Sequence, residues 1–325
     1  MKQQLFETKY QNEWQLFEST LTTLERNARS QPHQKPREFT ENYGKICYHL
    51  ALAKEREYSP LLVDRLNELA LRGHQQLYRT YNAGFGHRVL QFLLATFPQA
   101  VRNNSKLVLL GLLLFYGPGL IFGTAIYFDP SLAFSFFTPD QIASFSEMYN
   151  PSSNESMAEK RGSQEDLIMF GFYIRNNIGI GFQTFASGLL FGLGSLFFLI
   201  YNGLAIGGVA GYLTQLGYNT PFYSFVIGHG AFELTAIAIA GAAGMKLGFA
   251  LIAPGRLTRK QALVTAGKDA IILVYGVILF LLIAAFLEAF WSSSSTIPVS
   301  IKYSVGGFFW LLVTAYLLLG GRRGS

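Results

Sequence analysis

Two patterns of apolar and polar positions divide the chain. Up to about residue 106, apolar residues recur every three or four positions, the period of a helix with one buried face. Phe6, Tyr10, Trp14, Phe17, Leu21 and Leu24 predict one amphipathic helix over about 4–29. Pro32 and Pro36 bracket a break, and Phe39, Tyr43, Ile46, Leu50 and Ala53 form a second stripe. Ser59-Pro60 reads as the cap and first-turn proline of a third helix, with Leu62, Leu66, Leu69 and Leu77 facing inward. Three such helices suffice for a small bundle. From Gly86 to Lys106, Leu90, Leu93, Leu94 and Phe97 oppose Arg88, Gln91, Gln99 and Arg102. This segment is expected to be an interfacial helix feeding the first span, a fourth bundle helix being the alternative.

Beyond residue 106 the apolar windows reach the length of roughly 20 residues that a membrane crossing requires. They predict spans over about 107–128, 177–200, 203–218, 222–252, 269–290 and 303–320, with Tyr201-Asn202-Gly203 as a turn. Charge decides whether 177–218 crosses once or twice. With two crossings the basic loop 253–268 (Arg256, Arg259, Lys260, Lys268) and the tail (Arg322, Arg323) share a side with the N-terminal domain. The opposite side then receives 129–174, with seven carboxylates against Lys160 and Arg161. A re-entrant 203–218 would break that pattern. The expected fold is therefore all-α: a polytopic membrane protein of about six spans (106–325) behind a cytoplasmic helical domain (1–105), both termini cytoplasmic.

Composition agrees with this division. The 325 residues are 50% hydrophobic and 14% charged, with mean hydropathy +0.26, whereas soluble chains carry about 25% charged residues. Residues 1–106 hold 15 of the 26 Lys/Arg and 10 of the 20 Asp/Glu. Met1 to Glu18 is polar without an apolar core, so no cleavable signal peptide is expected. Cys47 alone excludes an intramolecular disulfide and any multi-cysteine metal site. The net charge of +6 is not gathered into a phosphate-tracking block, so nucleic acid is not an expected partner; the lipid bilayer is.

Residues 176–228 contain no Asp, Glu, Lys, Arg or His, and His229 and Glu233 follow, four apart and so on one helical face. Charged groups in such surroundings cost roughly 2.5–3.5 kcal/mol each at mid-membrane and usually face a bundle interior, a cavity or a partner. Depth at about 1.5 Å per residue puts Glu288, Arg175 and Asn177 in the same outer half. His229, Glu233, Glu288, Arg175 and Asn177 thus form a candidate polar cluster, either pinning helices together or handling a proton, ion or substrate. One His with an H-x-x-x-E pair lacks the three ligands usual for catalytic zinc, so no metal and no cofactor are expected. A G-x-S-x-G elbow and a nucleotide-binding glycine motif are likewise missing from the sequence. Lys246 is expected to snorkel to the cytoplasmic surface. His33, His49, His74 and His87 are expected to be solvent-facing or packing residues. Gly188 and Gly192, Gly203, Gly207 and Gly211, and Ala240, Gly244 and Gly248 form stripes of small residues suited to close helix approach.

The residues together resemble the stage II sporulation protein M family. The resemblance rests on Phe6-Glu7-Thr8-Lys9-Tyr10-Gln11-Asn12-Glu13-Trp14, Leu66-Asn67-Glu68-Leu69, Leu77-Tyr78-Arg79, Phe97-Pro98 with Arg102, Asn176-Asn177 and Asn202-Gly203. It continues with Gly228-His229-Gly230-Ala231-Phe232-Glu233-Leu234, Ala240-Gly241-Ala242-Ala243-Gly244, Pro254-Gly255 and Glu288. It implies a multi-pass component of the bacterial cytoplasmic membrane, not an enzyme, that scaffolds peptidoglycan-remodelling or other envelope partners. It further implies a cytosolic partner for the N-terminal domain, such as a MoxR-class AAA ATPase. Apart from the resemblance, a second copy of the chain is a candidate partner in the membrane. The alternative is a transporter or channel for an ion, a proton-coupled solute or a lipid, using His229, Glu233 and Glu288.

Overall fold

The computed structural model describes residues 2–26, 38–77, 85–151 and 163–322. Pro32, Pro36, Tyr78, Arg79, Lys160, Arg161 and Arg323 lie outside these residues. The described residues are helical, and they divide into two units, Met1–His87 and Arg88–Ser325.

The first unit packs α1 (Gln3–Arg26), α2 (Phe39–Glu55) and α3 (Pro60–Leu77) around one apolar core. The helical period puts Phe6, Trp14, Phe17 and Leu21 on a single face, where they meet Ile46 and Ala53 of α2 and Leu66 and Leu69 of α3. His49 is a core residue, its Nδ1 accepting the Trp14 indole N–H at 3.1 Å. Ser59 is held by α1: its Oγ accepts from Gln3 Nε2 at 2.8 Å and its N–H donates to Gln3 Oε1 at 3.0 Å. Arg72 to Glu25 at 2.9 Å and Arg65 to Glu18 at 3.5 Å show α1 and α3 running in step, parallel.

The second unit begins with α4 (Phe85–Gln91), a π turn (Phe92–Thr96) and α5 (Phe97–Asn103). Phe97 is buried against Gly276, Phe280 and Tyr316, and Arg102 donates to the Leu317 carbonyl. The segment thus packs on the membrane unit, and the two compact units part after residue 87. Then follow α6 (Ser105–Phe128), a 3-10 turn (Pro130–Ser135), α7 (Pro139–Tyr149), α8 (Ser163–Ala186) and α9 (Leu193–Gln215). The chain closes with α10 (Asn219–Ile252), α11 (Arg259–Phe286) running into a π turn (Leu287–Ser292), and α12 (Val299–Leu319).

Helix α10 is the central post. It is mostly apolar, rich in Ala and Gly, and buried along most of its length between Gly228 and Gly248. Its small residues let neighbours approach to backbone contact. Gly188 stands against Gly244, Gly192 against Gly248, and Gly111 against the Ala238 carbonyl. Gly203, Gly207 and Gly211 of α9 face Phe115, Gly119 and Gly123 of α6, in step, so these two helices run parallel. The partners Gly111, Gly119 and Gly123 carry no mark in the sequence reading above. At the far end Lys246 reaches an exposed carboxylate. Its Nζ donates to Asn104 Oδ1 and Asp269 Oδ2, both at 2.9 Å, tying α10 to α6 and α11.

The expected break at Tyr201-Asn202-Gly203 is replaced by one at 187–192. Helix α9 runs unbroken through Asn202, whose amide donates to the Phe198 carbonyl at 2.7 Å, removing the reason for a turn there. The chain instead reverses at Gly192, whose φ of +82° is strained for any residue with a Cβ. The span 177–200 is therefore not one helix. Among the described residues five helices are long and apolar enough to cross a membrane: 105–128, 193–215, 219–252, 259–292 and 299–319. Helix α8 is not among them, because Arg175, Asn176, Asn177 and Gln183 interrupt its apolar run. Residues 129–151, expected as loop, carry a 3-10 turn and α7. Thr138 caps α7 through a capping box, and Ala133, Phe137 and Ile142 pack against Ile126.

Candidate functional site

His229 and Glu233 come one turn apart from α10, and the π turn ending α11 brings Glu288 to them. One ligand-capable atom from each of the three lies within 4.8 Å of the others. Gly228 makes room for the approach: a Cβ there would stand 3.4 Å from the Trp291 ring. His229 is buried, with Nδ1 2.9 Å from Ser292 Oγ and its ring edge-on to Phe225. Asn177, buried on α8, donates from Nδ2 to Glu288 Oε2 at 3.4 Å and accepts from Asn176 Nδ2 at 3.2 Å. Among the described residues no side chain donates to Glu233, which is half-buried. It forms part of the wall of a cavity of about 320 Å3, with Gln141, Phe145, Tyr201 and Asn202. A second hollow of about 520 Å3 runs between α6, α9 and α10, and the buried Tyr116 Oη beside it has no hydrogen-bond partner among the described residues.

Two carboxylates this close in an apolar setting repel strongly unless a proton or a cation lies between them. Among the described residues no Lys or Arg answers them. Lys302, buried at the start of α12, donates instead to the Ser292 carbonyl at 2.8 Å. Ser292 therefore joins three helices, taking His229 on its side chain and Lys302 on its backbone. Tyr149 at the end of α7 covers this end of α10, its ring against Phe222 and Phe225. Burial pushes the Tyr149 phenol up, and the nearby Glu288 carboxylate pushes it further.

Of the five residues expected to cluster, His229, Glu233, Glu288 and Asn177 come together. Arg175 does not: it is exposed, since two residues before Asn177 means roughly 200° around the helix. Ser292 and Lys302 escaped the sequence reading. Ser292 opens a run of four serines that gives it no distinction, and Lys302 looked like the end of a polar loop.

The stage II sporulation protein M family model matches residues 112–293, more than half of the 325. The chain belongs to the stage II sporulation protein M family. The matched stretch takes in Asn177, His229, Glu233, Glu288 and Ser292 and stops short of Lys302. Residues 4–79 match a second model, a domain of unknown function, DUF8413. An uncharacterized protein of Methanocaldococcus jannaschii, MJ0793, is 30% identical over 130 residues, 38% of this chain and 71% of the relative. No solved structure matches. A stage II sporulation protein M family member with these helices is an integral membrane protein.

Proposed function

We propose that this stage II sporulation protein M family member is a non-catalytic recruiting component of the cell envelope. It sits in the cytoplasmic membrane with both termini inside and gathers envelope enzymes around its membrane unit. The observation that supports this reading is the separateness of the N-terminal bundle. Met1–His87 closes its own core, and its family match, 4–79, is distinct from that of the membrane unit. Leu5 and Leu16 are exposed on α1 and eleven residues apart, hence on one side of the helix, two apolar anchors for a cytosolic partner such as an ATPase. Deleting residues 1–87 should leave the membrane unit inserted while the cytosolic proteins that co-purify with the full chain are lost. Leu5→Glu with Leu16→Glu should do the same without touching the core. If both variants retain every cytosolic partner, the bundle is not the recruiting surface.

Transport is the second reading, and the cavity beside Glu233 favours it. Glu233→Gln keeps size and removes the charge. A variant that assembles normally but loses the protein's cellular role supports a pathway through the cavity, whereas one that falls apart in detergent supports a structural lock.

A further inference from the structure

We infer that His229, Glu233 and Glu288 form a binding site for one divalent transition-metal ion, zinc by preference. The inference stands whether or not the N-terminal bundle recruits a partner. The three groups are the right chemistry: one imidazole nitrogen and two carboxylate oxygens, drawn from two helices and converging within 4.8 Å. An ion about 2.1 Å from each would hold its ligand atoms roughly 3.4 Å apart, so side-chain rotation closing the set by about an ångström completes it. The imidazole weighs against magnesium and calcium, which prefer oxygen alone, and the lack of a thiolate weighs against copper(I).

The surroundings are those of a metal site rather than of an acidic cluster. Metal-binding histidines almost always bond the second ring nitrogen to an orienting group. Here Nδ1 of His229 meets Ser292 Oγ at 2.9 Å, which leaves Nε2 to present its lone pair. Ser292 is itself fixed, its carbonyl taking Lys302 Nζ at 2.8 Å. Asn177 plays the same part for Glu288, holding Oε2 at 3.4 Å and leaving the other oxygen free. Glu233 has no hydrogen-bond donor among the described residues, so one carboxylate oxygen set is wholly unsatisfied by protein. A divalent cation answers both that vacancy of partners and the repulsion between the carboxylates. Glu233 also belongs to the wall of the 320 Å3 cavity, so the ion would be reached from there. The sequence already grouped the three residues by depth, but only the fold shows their ligand atoms converging.

The test uses the full chain in detergent, without a polyhistidine tag. The protein is stripped with chelator, incubated with zinc chloride, desalted and assayed for metal by mass spectrometry. The expected result is about one zinc per chain, with an X-ray absorption shell of nitrogen and oxygen and no sulfur. Glu233→Gln with Glu288→Gln, which changes charge but hardly volume, should lose the zinc while eluting as wild type. Ser292→Ala should keep it but compete about tenfold less well against a chromophoric chelator. Zinc held adventitiously by His33, His74 or His87 would survive the double substitution. Full retention in that variant therefore overturns the site. So does a wild-type chain that binds no zinc, or one that binds calcium or magnesium as tightly.

Discussion

His49 can accept the Trp14 indole N–H only while Nδ1 is unprotonated, and burial holds its imidazole below the ordinary value of 6.5. The unfolded chain therefore takes up a proton at His49 that the folded bundle refuses. Stability is whole above pH 6.5 and is lost as the pH falls below it toward the lowered value of the folded state. In a Trp291→Phe, Trp310→Phe background, where Trp14 is the remaining tryptophan, the denaturant midpoint of the bundle should drop as the pH falls below about 6.5. His49→Gln should flatten that dependence, and a midpoint that ignores pH would show that His49 is not the titrating group. At this scale the sequence was partly readable. His229 and Glu233 stand out because four residues on a helix share a face. Arg175 was misassigned because depth along a helix says nothing about direction around it. Ser292 and Lys302 act through contacts that only the turn at the end of α11 creates, so no local pattern could reveal them.

Helices in this membrane unit are joined through glycine rather than through large side chains. The α6–α9 pair shows how sharply position matters. A Cβ on Gly119 would stand 2.6 Å from the Gly203 carbonyl oxygen, whereas one on Gly117, two residues away, meets nothing within 4 Å. Gly119→Val should destabilise the folded chain by at least 1–3 kcal/mol, the usual range for overpacking, because the obstacle is backbone and cannot rotate aside. Gly117→Val should stay within about 0.5 kcal/mol of wild type, as substitutions away from tight contacts do. Thermal unfolding in detergent distinguishes the two, and equal melting points would mean that α6 and α9 do not meet at Gly119. Stripes of small residues were visible along the chain, but their partners were not. The same ambiguity misplaced the break in 177–218. Gly188 and Gly192 have the spacing of a packing stripe, yet Gly192 serves as the reversal, and Asn202-Gly203 has the look of a turn yet lies within α9.

Across the whole membrane unit the polar contacts fall at two levels along α10. His229 meets the end of α11, and Lys246, seventeen residues and roughly 26 Å further on, meets Asp269 near its start. Helix α8 follows the same course: Asn177 lies level with Glu288 and Gly188 level with Gly244. Its 24 residues span roughly 36 Å, enough for a bilayer core of about 30 Å, even though its composition falls short of the other five helices. Its polar residues are tolerable because Asn177 is turned inward to Glu288. We therefore expect α8 to cross as a sixth segment, which puts the reversal at 187–192 on the Lys246 side. That side also carries Arg256, Arg259, Lys260 and Lys268, and by that excess we expect it to face the cytoplasm. In a Cys47→Ser background, a membrane-impermeant thiol reagent applied outside intact cells should modify cysteine placed at 155 or 294. It should leave cysteine at 190 or 258 unmodified until the membrane is opened. Residue 190 decides the sixth crossing, because Leu190 is exposed within the reversal itself. Modification at 155, 190 and 258 from outside, with 294 protected, would make α8 a segment that enters and leaves on one face. Modification at 190 and 258, with 155 and 294 protected, would reverse the orientation of the whole unit.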